Sequence, residues 1–299
     1  MNTVLEVFCK VADTGSFTKA AQSLFLSQSA VSQQISNAEE EYGVRLFLRG
    51  HREVSLTPEG KILYAYAKRI LSLYKSAAEE LSQKSGIVSG SIIVGASCTV
   101  GEYILPLILG KYKHLYPLVN LLFHVGNNEY VLAGIRQNKF DLGFVGEPCN
   151  LQNLESELFT QDEMVLIAAP AHPLAQKASV TFEDICSVPF IIRENGTGTR
   201  RFIEDLLRRN GLTISDLEIW MEYGSFESIK RFVQTGMGIT MISRWAVEQE
   251  IGLKLLRILP MEGVSLKRNF LFVYNKGYAD SQLINGFKTY CRESTVALL

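Results

Sequence analysis

Polar side chains of one kind cluster near residue 30. They carry hydroxyl or amide groups, and they are Ser27, Gln28, Ser29, Ser32, Gln33 and Ser36. If a helix begins at Gln28, these side chains lie opposite an apolar stripe formed by Val31, Ile35, Ala38 and Tyr42. A merely solvated helix usually carries Lys and Glu, whereas hydroxyls and amides approach base edges closely, and Gln pairs bidentately with adenine. The pattern indicates a helix that reads double-stranded DNA.

A second group of polar residues follows predicted strands in the remainder of the chain. Ser97-Cys98-Thr99-Val100-Gly101 lies where one strand ends, and Arg193 precedes the loop NGTGTR at 195–200. Further loops lie at 126–128, 146–147 and 224–226, the last ending with Phe226. Hydroxyls, arginines and the backbone N–H groups of helix starts favour anions. Their convergence on one predicted cleft indicates a site for a small anionic metabolite, although each loop alone is weak evidence, because such turns and caps are common for structural reasons.

The helix that carries the first group needs a neighbour to aim it. Ser27 is its candidate N-cap, because its hydroxyl can accept from the N–H of Ser29 or Ala30. Ser16 is a second candidate cap, followed by apolar residues at helical spacing, Phe17, Ala20, Ala21 and Leu24. The two segments predict a helix-turn-helix whose second helix enters the major groove by its N-terminal end, with Thr18 as a further DNA contact. Phe25 occupies the turn, where glycine is often found, and a small helical domain with a serine-rich surface is the alternative.

Two further elements complete this N-terminal part. Residues 44–48 and 53–56 read as short strands around Gly50, which is typical of a wing, and Arg49 and Arg52 are expected beside the DNA backbone or minor groove. Thr57 and Pro58 then begin a long helix that runs to about residue 84. Its apolar residues are close to a heptad pattern and indicate a coiled-coil dimer, with packing on its own domain as the alternative: Leu63, Tyr66, Ile70, Leu73, Ala77 and Leu81.

Beyond a Ser- and Gly-containing joint at 85–91, strands and helices alternate. The first βαβαβ series covers 91–145, a second series begins at Met164, and a strand at 269–274 with a helix at 279–292 returns to the first. This order implies parallel sheets in two α/β lobes with two crossings, and hence a hinged cleft at the carboxyl ends of the strands.

Composition limits the alternatives. The chain has 299 residues, is 47% hydrophobic, and carries a net charge of −1. No apolar run approaches the roughly 20 residues of a membrane span, and the first residues are unlike a signal peptide, so we expect a cytoplasmic protein with no membrane partner. The first 60 residues have five cations and seven anions, which makes nonspecific DNA affinity modest and dimerisation a requirement.

The cysteines and histidines indicate no metal site or catalytic centre. The five cysteines are scattered without a CxxC pair, which predicts reduced thiols and no structural metal. Cys98 admits a redox-sensing interpretation at a helix N-terminus. A small cleft-lining residue is favoured, because no partner cysteine lies nearby in sequence. No GxGxxG, GxxxxGK[ST], GxSxG or HExxH motif occurs, so no enzyme, catalytic residue or cofactor is predicted.

Three segments occur in an order that is similar to a known family. SFTKAAQSLFLSQSAVSQQI, EEEYGVRLFLR and LTPEG together resemble the N-terminal signature of LysR-type transcriptional regulators. The resemblance implies that the long helix pairs two subunits and sets the spacing of their recognition helices. It also implies a two-lobed, periplasmic-binding-protein-like effector domain, with effector contacts at Ser97, Thr99, Asn127, Gly146, Thr197, Gly198 and Thr199.

The expected protein is thus an all-α winged helix-turn-helix domain joined to an α/β effector domain. Residues 1–58 would bind DNA, 59–90 would form the dimerising linker, and 91–299 would bind the effector, with lobe I at 91–162 and 268–299 and lobe II at 163–267. It would act as a dimer or homotetramer on an inverted-repeat operator, with RNA polymerase as a further candidate partner. An enzyme on the α/β region and a solute-binding protein are the competing functions; the second would require export and has no use for a helix-turn-helix.

Overall fold

The computed structural model describes residues 3–49, 54–83, 88–147, 149–261, 263–279 and 281–298. The chain divides into two compact units, Met1–Ile87 with Asp280–Gln282, and Val88–Ala279 with Leu283–Leu299. The first has one hydrophobic core, and the second has separate cores in two lobes.

The first unit begins with three helices, α1 (Thr3–Thr14), α2 (Phe17–Leu24) and α3 (Gln28–Tyr42). The predicted caps are present, since the Ser16 hydroxyl accepts from the N–H of Lys19 and that of Ser27 from the N–H of Ala30. The predicted apolar stripe of α3 is buried except at Tyr42, which is 49% exposed because the helix ends there.

A two-stranded wing follows, formed by β1 (Phe47–Arg49) and β2 (Val54–Leu56) in antiparallel pairing. The first strand begins at Phe47, later than the predicted residue 44. The N–H of Val44 still caps α3 at Glu39 O, and the Glu39 carboxylate accepts from the N–H groups of Leu46 and Phe47. These bonds hold residues 44–46 against α3, so β1 begins only at Phe47. Arg52 lies outside the described residues.

The long helix α4 (Pro58–Gln83) begins at Thr57, whose hydroxyl accepts from the N–H of Gly60. The apolar residues predicted to form one stripe on α4 lie in two different environments. Leu63 packs against the core of its own unit, as the alternative interpretation held. Tyr66, Ile70 and Leu73 are instead solvent-exposed along successive turns.

Lobe I of the second unit contains three parallel strands, β3 (Gly90–Ser97), β4 (Val119–Gly126) and β5 (Leu142–Gly146). Two further strands, β6 (Glu155–Ala168) and β11 (Lys267–Tyr274), complete its sheet in the order β4-β3-β5-β11-β6. Helices α5 (Leu105–Leu115) and α6 (Asn128–Arg136) connect them. A π-helical turn at Val100–Ile104 precedes α5.

Two antiparallel strands join the lobes, β6 (Glu155–Ala168) and β11 (Lys267–Tyr274). The sequence predicted a strand only from Met164. Acidic residues at Glu155, Glu157, Asp162 and Glu163 obscure the first half of β6, which nevertheless pairs with β11 along its length. The last helix, α11 (Gln282–Val296), starts and ends later than the predicted 279–292.

Lobe II is built around the second half of β6. β9 (Thr240–Ser243) and β10 (Arg257–Leu259) pair with its two edges, and β7 (Phe190–Arg193) pairs with β8 (Ile219–Tyr223). The helices are α7 (Phe182–Cys186), α8 (Gly198–Arg209), α9 (Phe226–Gln234) and α10 (Glu248–Gly252). Among the described residues, no helix is both long enough and apolar enough to cross a membrane.

Candidate functional site

The carboxyl ends of several strands from both lobes meet around one cavity of about 270 Å³. All ten residues that the sequence selected line it: Ser97, Cys98, Thr99, Asn127, Gly146, Arg193, Thr197, Gly198, Thr199 and Phe226. They come from loops separated by up to about half of the chain, and the parallel connections bring them together because each strand ends at the same edge of its sheet.

Two side-chain atoms in this cavity are buried and have no hydrogen-bond partner among the described residues. They are the Ser97 hydroxyl oxygen and Nη2 of Arg268. The other nitrogens of Arg268 are engaged, since Nε donates to Asp162 at 2.7 Å and Nη1 lies 3.5 Å from the Thr199 hydroxyl. A buried donor without a partner is unfavourable. The two groups therefore form a preorganised place for a ligand acceptor.

A second cation lies at the lobe II side of the cavity. Arg193 is 3% exposed and donates through Nε and Nη2 to the two carboxylate oxygens of Glu194, at 3.0 Å each. Its guanidinium lies 4.0 Å from the ring centroid of Phe226. The fork geometry of arginine suits carboxylate and phosphate oxygens. Glu194 neutralises this charge, so an anion must compete with that carboxylate or share its partner.

Three helices begin at the cavity. The Asn127 side chain caps α6 by accepting from the N–H of Tyr130, Thr197 caps α8 through the N–H of Arg200, and Ser225 caps α9 through the N–H of Ser228. The remaining N–H groups of each first turn have no partner within the helix. Together with the helix dipoles they favour a negatively charged group.

The two lobes are in close contact around this cavity. The α8 start presses on lobe I, since a Cβ at Gly198 would lie 2.9 Å from Asn128 Nδ2 and 3.3 Å from Gly146 O. Asn128 in turn donates to Gly146 O at 2.6 Å and accepts from Gly146 N. An Arg201–Glu129 ion pair also links the lobes.

A second cross-lobe contact lies at the other side of the cleft. The Tyr103 hydroxyl donates to Glu227 at 3.0 Å, and its ring packs edge-on against Phe226. Because Phe226 also carries the Arg193 guanidinium, this contact connects lobe I to the cation of lobe II. The cleft is therefore closed in this conformation.

Cys98 lies inside the site without the properties of a reactive thiol. Its pKa is raised by burial, although the nearby Arg193 guanidinium partly opposes this. The thiol donates weakly to Gly126 O, and Arg193 Nη2 lies 3.8 Å from the sulfur. A raised pKa disfavours the thiolate that oxidation requires, which agrees with the favoured interpretation as a cleft-lining residue. All five cysteines are free.

Sequence reasoning missed two lining residues, Arg268 and Phe270. Gly126 and Asn128 also line the cavity, and they belong to the loop at 126–128 that the sequence indicated. Arg268 and Phe270 lie inside β11, and a residue within a strand has no loop signal to mark it. The available signal is the alternation of side chains along a strand, which places Arg268 and Phe270 on the same face of β11. Among the described residues no cluster of three or more His, Cys, Asp or Glu side chains could hold a metal ion.

The first unit presents the other predicted surface. Thr18, Ser27, Gln28, Ser29 and Gln33 are exposed. Ser32 and Ser36 are partly exposed, and Arg49 is the last residue of β1. Within α3, Gln28 Nε2 donates to the Ser32 hydroxyl at 3.1 Å and Gln33 Nε2 donates to Asn37 at 2.8 Å. These amides are paired along one helix face, where a DNA base edge can replace either partner.

Comparison with known proteins identifies the family of both parts of the chain. Residues 3–61 match the family described as "Bacterial regulatory helix-turn-helix protein, lysR family", and residues 85–295 match "LysR substrate binding domain". The HTH-type transcriptional regulator CysL of Bacillus subtilis is 35% identical over 272 residues, which are 91% of this chain and 90% of CysL.

Solved structures show the same architecture. Full-length OxyR from Pseudomonas aeruginosa superimposes with a TM-score of 0.80 over 98% of this chain and 94% of that one, and at 19% identity the likeness concerns the fold alone. The regulatory domain of CcmR from Synechocystis PCC6803, solved in complex with 2-PG, is 28% identical with a TM-score of 0.63, covering 69% of this chain and 98% of that domain. The relatives named are transcriptional regulators rather than enzymes, and this chain belongs to the LysR family of DNA-binding transcriptional regulators with an effector-binding domain.

Proposed function

We propose that the regulator is controlled by a small anionic metabolite bound between the two lobes. The observation that carries this proposal is a pair of buried side-chain atoms without a hydrogen-bond partner among the described residues, Ser97 Oγ and Arg268 Nη2, on two residues that line one pocket. An anionic oxygen satisfies both, and a hydrogen bond to a charged group contributes about 1.5–3 kcal/mol. The starts of α6, α8 and α9 add further N–H donors.

The space between the lobes is small in this conformation, about 270 Å³ including the solvent at its mouth, so the ligand must be a small molecule. The similar CcmR domain holds 2-PG, an anionic metabolite. The proposed contacts are the ten residues predicted from sequence together with Arg268, which the sequence did not reveal.

On the DNA side, the proposed contacts are Thr18, Ser27, Gln28, Ser29, Ser32, Gln33, Ser36, Arg49 and Arg52. Regulators of this family bind DNA and form oligomers. Here the exposed residues Tyr66, Ile70 and Leu73 on α4 support dimerisation through that helix, because a second copy would bury them. A homotetramer, an inverted-repeat operator, contact with RNA polymerase and a cytoplasmic location complete the proposal.

The proposed mechanism is a change in lobe closure that alters the spacing of recognition helices. A ligand bound to both lobes favours the closed cleft only to the extent that it binds this form more tightly than the open one. The differential contacts would be those of Ser97 in lobe I and of Arg193 and Thr199 in lobe II, because opening the cleft separates these residues.

Titration calorimetry with 2-PG and with inorganic phosphate tests the ligand class directly. Binding of either anion, weakened in an Arg268→Met variant, supports the proposal. If neutral compounds of the same size bind while both anions fail, the anionic assignment is wrong. DNA binding is tested by recovering genomic fragments at two salt concentrations, where fragments that share an inverted repeat are expected. Recovery without sequence preference would contradict specific recognition.

A further inference from the structure

Phe25 combines two unfavourable features in the turn of the helix-turn-helix. Its side chain is 97% exposed, the largest exposed fraction among the large hydrophobic residues of the described chain. Its backbone is left-handed, with φ 55°, where its N–H is accepted by Ala21 O and Gln22 O to close α2. Left-handed backbone is unfavourable for bulky residues, and glycine adopts it without strain.

The need to end α2 therefore explains the left-handed backbone at position 25. It does not explain why a phenylalanine occupies that position. Helix α3 is closed by Gly43 in the same left-handed conformation, at φ 67°. A glycine would serve equally at position 25 and would expose no aromatic surface. Since the ring is almost fully exposed, burial within its own domain does not account for it either. The ring is available for a partner outside the chain.

Its position points to DNA. Phe25 lies two residues before Ser27, the N-cap of the helix whose first residues are proposed to read bases. Two residues of chain span at most about 7 Å, so the exposed side chain of Phe25 is attached within that distance of the N-cap of that helix. The exposed residues there, Ser27, Gln28 and Ser29, recognise donors and acceptors. None of them offers the apolar surface that recognises the one apolar group of the major groove, the C5-methyl of thymine.

We propose that Phe25 contacts a thymine methyl group at the edge of the major groove and contributes sequence specificity at that position. This contact adds an apolar residue to the DNA-binding face proposed above and rests on that proposal. Leu26, which is 36% exposed, lies between Phe25 and the N-cap and extends the same apolar surface.

Replacement of thymidine by deoxyuridine tests the contact, because it removes only the C5-methyl. An operator is first selected by the wild-type protein from random duplexes, then synthesised with deoxyuridine at each thymidine in turn. Wild type should lose about fourfold in affinity for each contacted methyl, the factor that corresponds to one methylene-sized group leaving an apolar contact. Phe25→Gly should bind the operator with thymidine at that position and the operator with deoxyuridine there with equal affinity.

Two controls separate this contact from general effects. Phe25→Asn also tolerates left-handed backbone and should lose the methyl preference in the same way. Tyr42→Ala removes an exposed aromatic from the opposite end of α3 and should keep it. The thermal unfolding temperature of Phe25→Gly should be no lower than that of wild type, because glycine relieves the backbone strain at φ 55°.

Either of two results overturns the inference. One is a wild-type protein that binds thymidine and deoxyuridine operators equally. The other is a Phe25→Gly variant that keeps the full preference for thymidine over deoxyuridine. If that variant also binds DNA normally but loses transcriptional activation, the ring contacts a protein partner instead of DNA. If Ser32→Ala and Gln33→Ala leave operator binding unchanged while Phe25→Gly abolishes the methyl preference, the proposed base-reading face is wrong and the Phe25 contact stands.

Discussion

Nε of Arg268 donates to Oδ2 of Asp162 at 2.7 Å, and the two residues are directly opposed on β11 and β6, the strands that join the lobes. The same carboxylate accepts from the Ser243 hydroxyl of lobe II at 2.6 Å. Both charged side chains are buried. Arg268, whose Nη2 has no partner among the described residues, is therefore fixed to the connecting strands and, through Asp162, to lobe II.

Replacing Arg268 should affect stability and ligand binding together. In Arg268→Met, Asp162 stays buried without its cation, and breaking such a pair costs about 3–5 kcal/mol. Urea unfolding of the variant should show a loss of this size, and calorimetry should show weakened anion binding. In the double variant with Asp162→Asn, stability should partly return while anion binding stays weak. Full anion affinity in the folded double variant would exclude Arg268 from the site.

Ser97→Ala should show the opposite combination. The Ser97 hydroxyl is buried without a partner in the described structure, so its removal relieves an unsatisfied group rather than breaking a bond. Stability of the ligand-free protein should stay within about 0.5 kcal/mol or rise, while anion affinity should fall roughly tenfold or more. Thr99→Ala should likewise impair the effector response without abolishing DNA binding.

Ser243→Ala is the matched control for Ser97→Ala. Both residues are buried serines, but Ser243 donates to Asp162. Its loss should lower the free energy of unfolding by about 1.5–3 kcal/mol, the usual contribution of a hydrogen bond to a charged group. If the two variants unfold at the same urea concentration, the Ser97 hydroxyl has a partner in the ligand-free protein and the argument for an unsatisfied donor fails.

The loops around the cleft were predictable from sequence because each combines a strand end with a cap residue, as at Asn127 and Thr197. Arg268 was not, because its neighbours along β11 read as an ordinary strand and its role depends on pairing with Asp162 more than 100 residues away. The first half of β6 was missed for a similar reason, since its acidic residues are satisfied by tertiary partners such as Lys288 and Arg292. Local patterns fix caps and periodicity, whereas buried charge is decided by distant partners.

Gly198→Ala should weaken anion binding by opening the cleft. A Cβ at this position would lie 2.9 Å from Asn128 Nδ2, so α8 and lobe I must separate by a few tenths of an ångström. Calorimetry should show a severalfold loss of affinity. Gly110→Ala is the control, because a Cβ there meets nothing within 4 Å and alanine favours the α5 helix. Equal affinity in both variants would mean that the contact between α8 and Asn128 is not needed for the ligand-binding form.

Glu157 should stabilise the folded protein at neutral pH, and this stabilisation should be lost at acidic pH. Burial opposes its ionisation, but hydrogen bonds from Lys288, Tyr274 and Arg292 outweigh this and hold its pKa at about 2, against an ordinary value of 4.5. A lowered pKa stabilises the folded protein above the unfolded-state value, and this contribution is lost as the pH falls from about 4.5 to about 2.

Urea unfolding of wild type and Glu157→Gln across this range measures the effect. The variant should be less stable at neutral pH, and the difference should narrow as wild-type Glu157 is protonated. Because other carboxylates titrate in both proteins, only the difference between the two curves reports on Glu157. A difference that stays constant from pH 7 to pH 2 would show that the carboxylate charge has no part in this cluster.

Ser32→Ala and Gln33→Ala should weaken operator binding while anion binding is unchanged. Both side chains lie on the polar face of α3, and Gln33 is exposed and paired only along its own helix, with Asn37. Loss of a bidentate base contact costs about 1–3 kcal/mol, which is roughly a five- to hundredfold loss of affinity. A mobility-shift titration on the selected operator, with calorimetry on the same preparation, measures both quantities.

The choice of DNA then separates base contacts from phosphate contacts in these variants. A lost base contact lowers affinity for the selected operator more than for random duplex, whereas a lost phosphate contact weakens binding to both by the same factor. Ser32 and Gln33 are uncharged, so the slope of log affinity against log salt should stay at the wild-type value, which serves as the control for an unchanged number of neutralised phosphates. Parallel losses of operator and anion binding would indicate unfolding, and equal losses on operator and random duplex would place these residues on the DNA backbone instead of the bases.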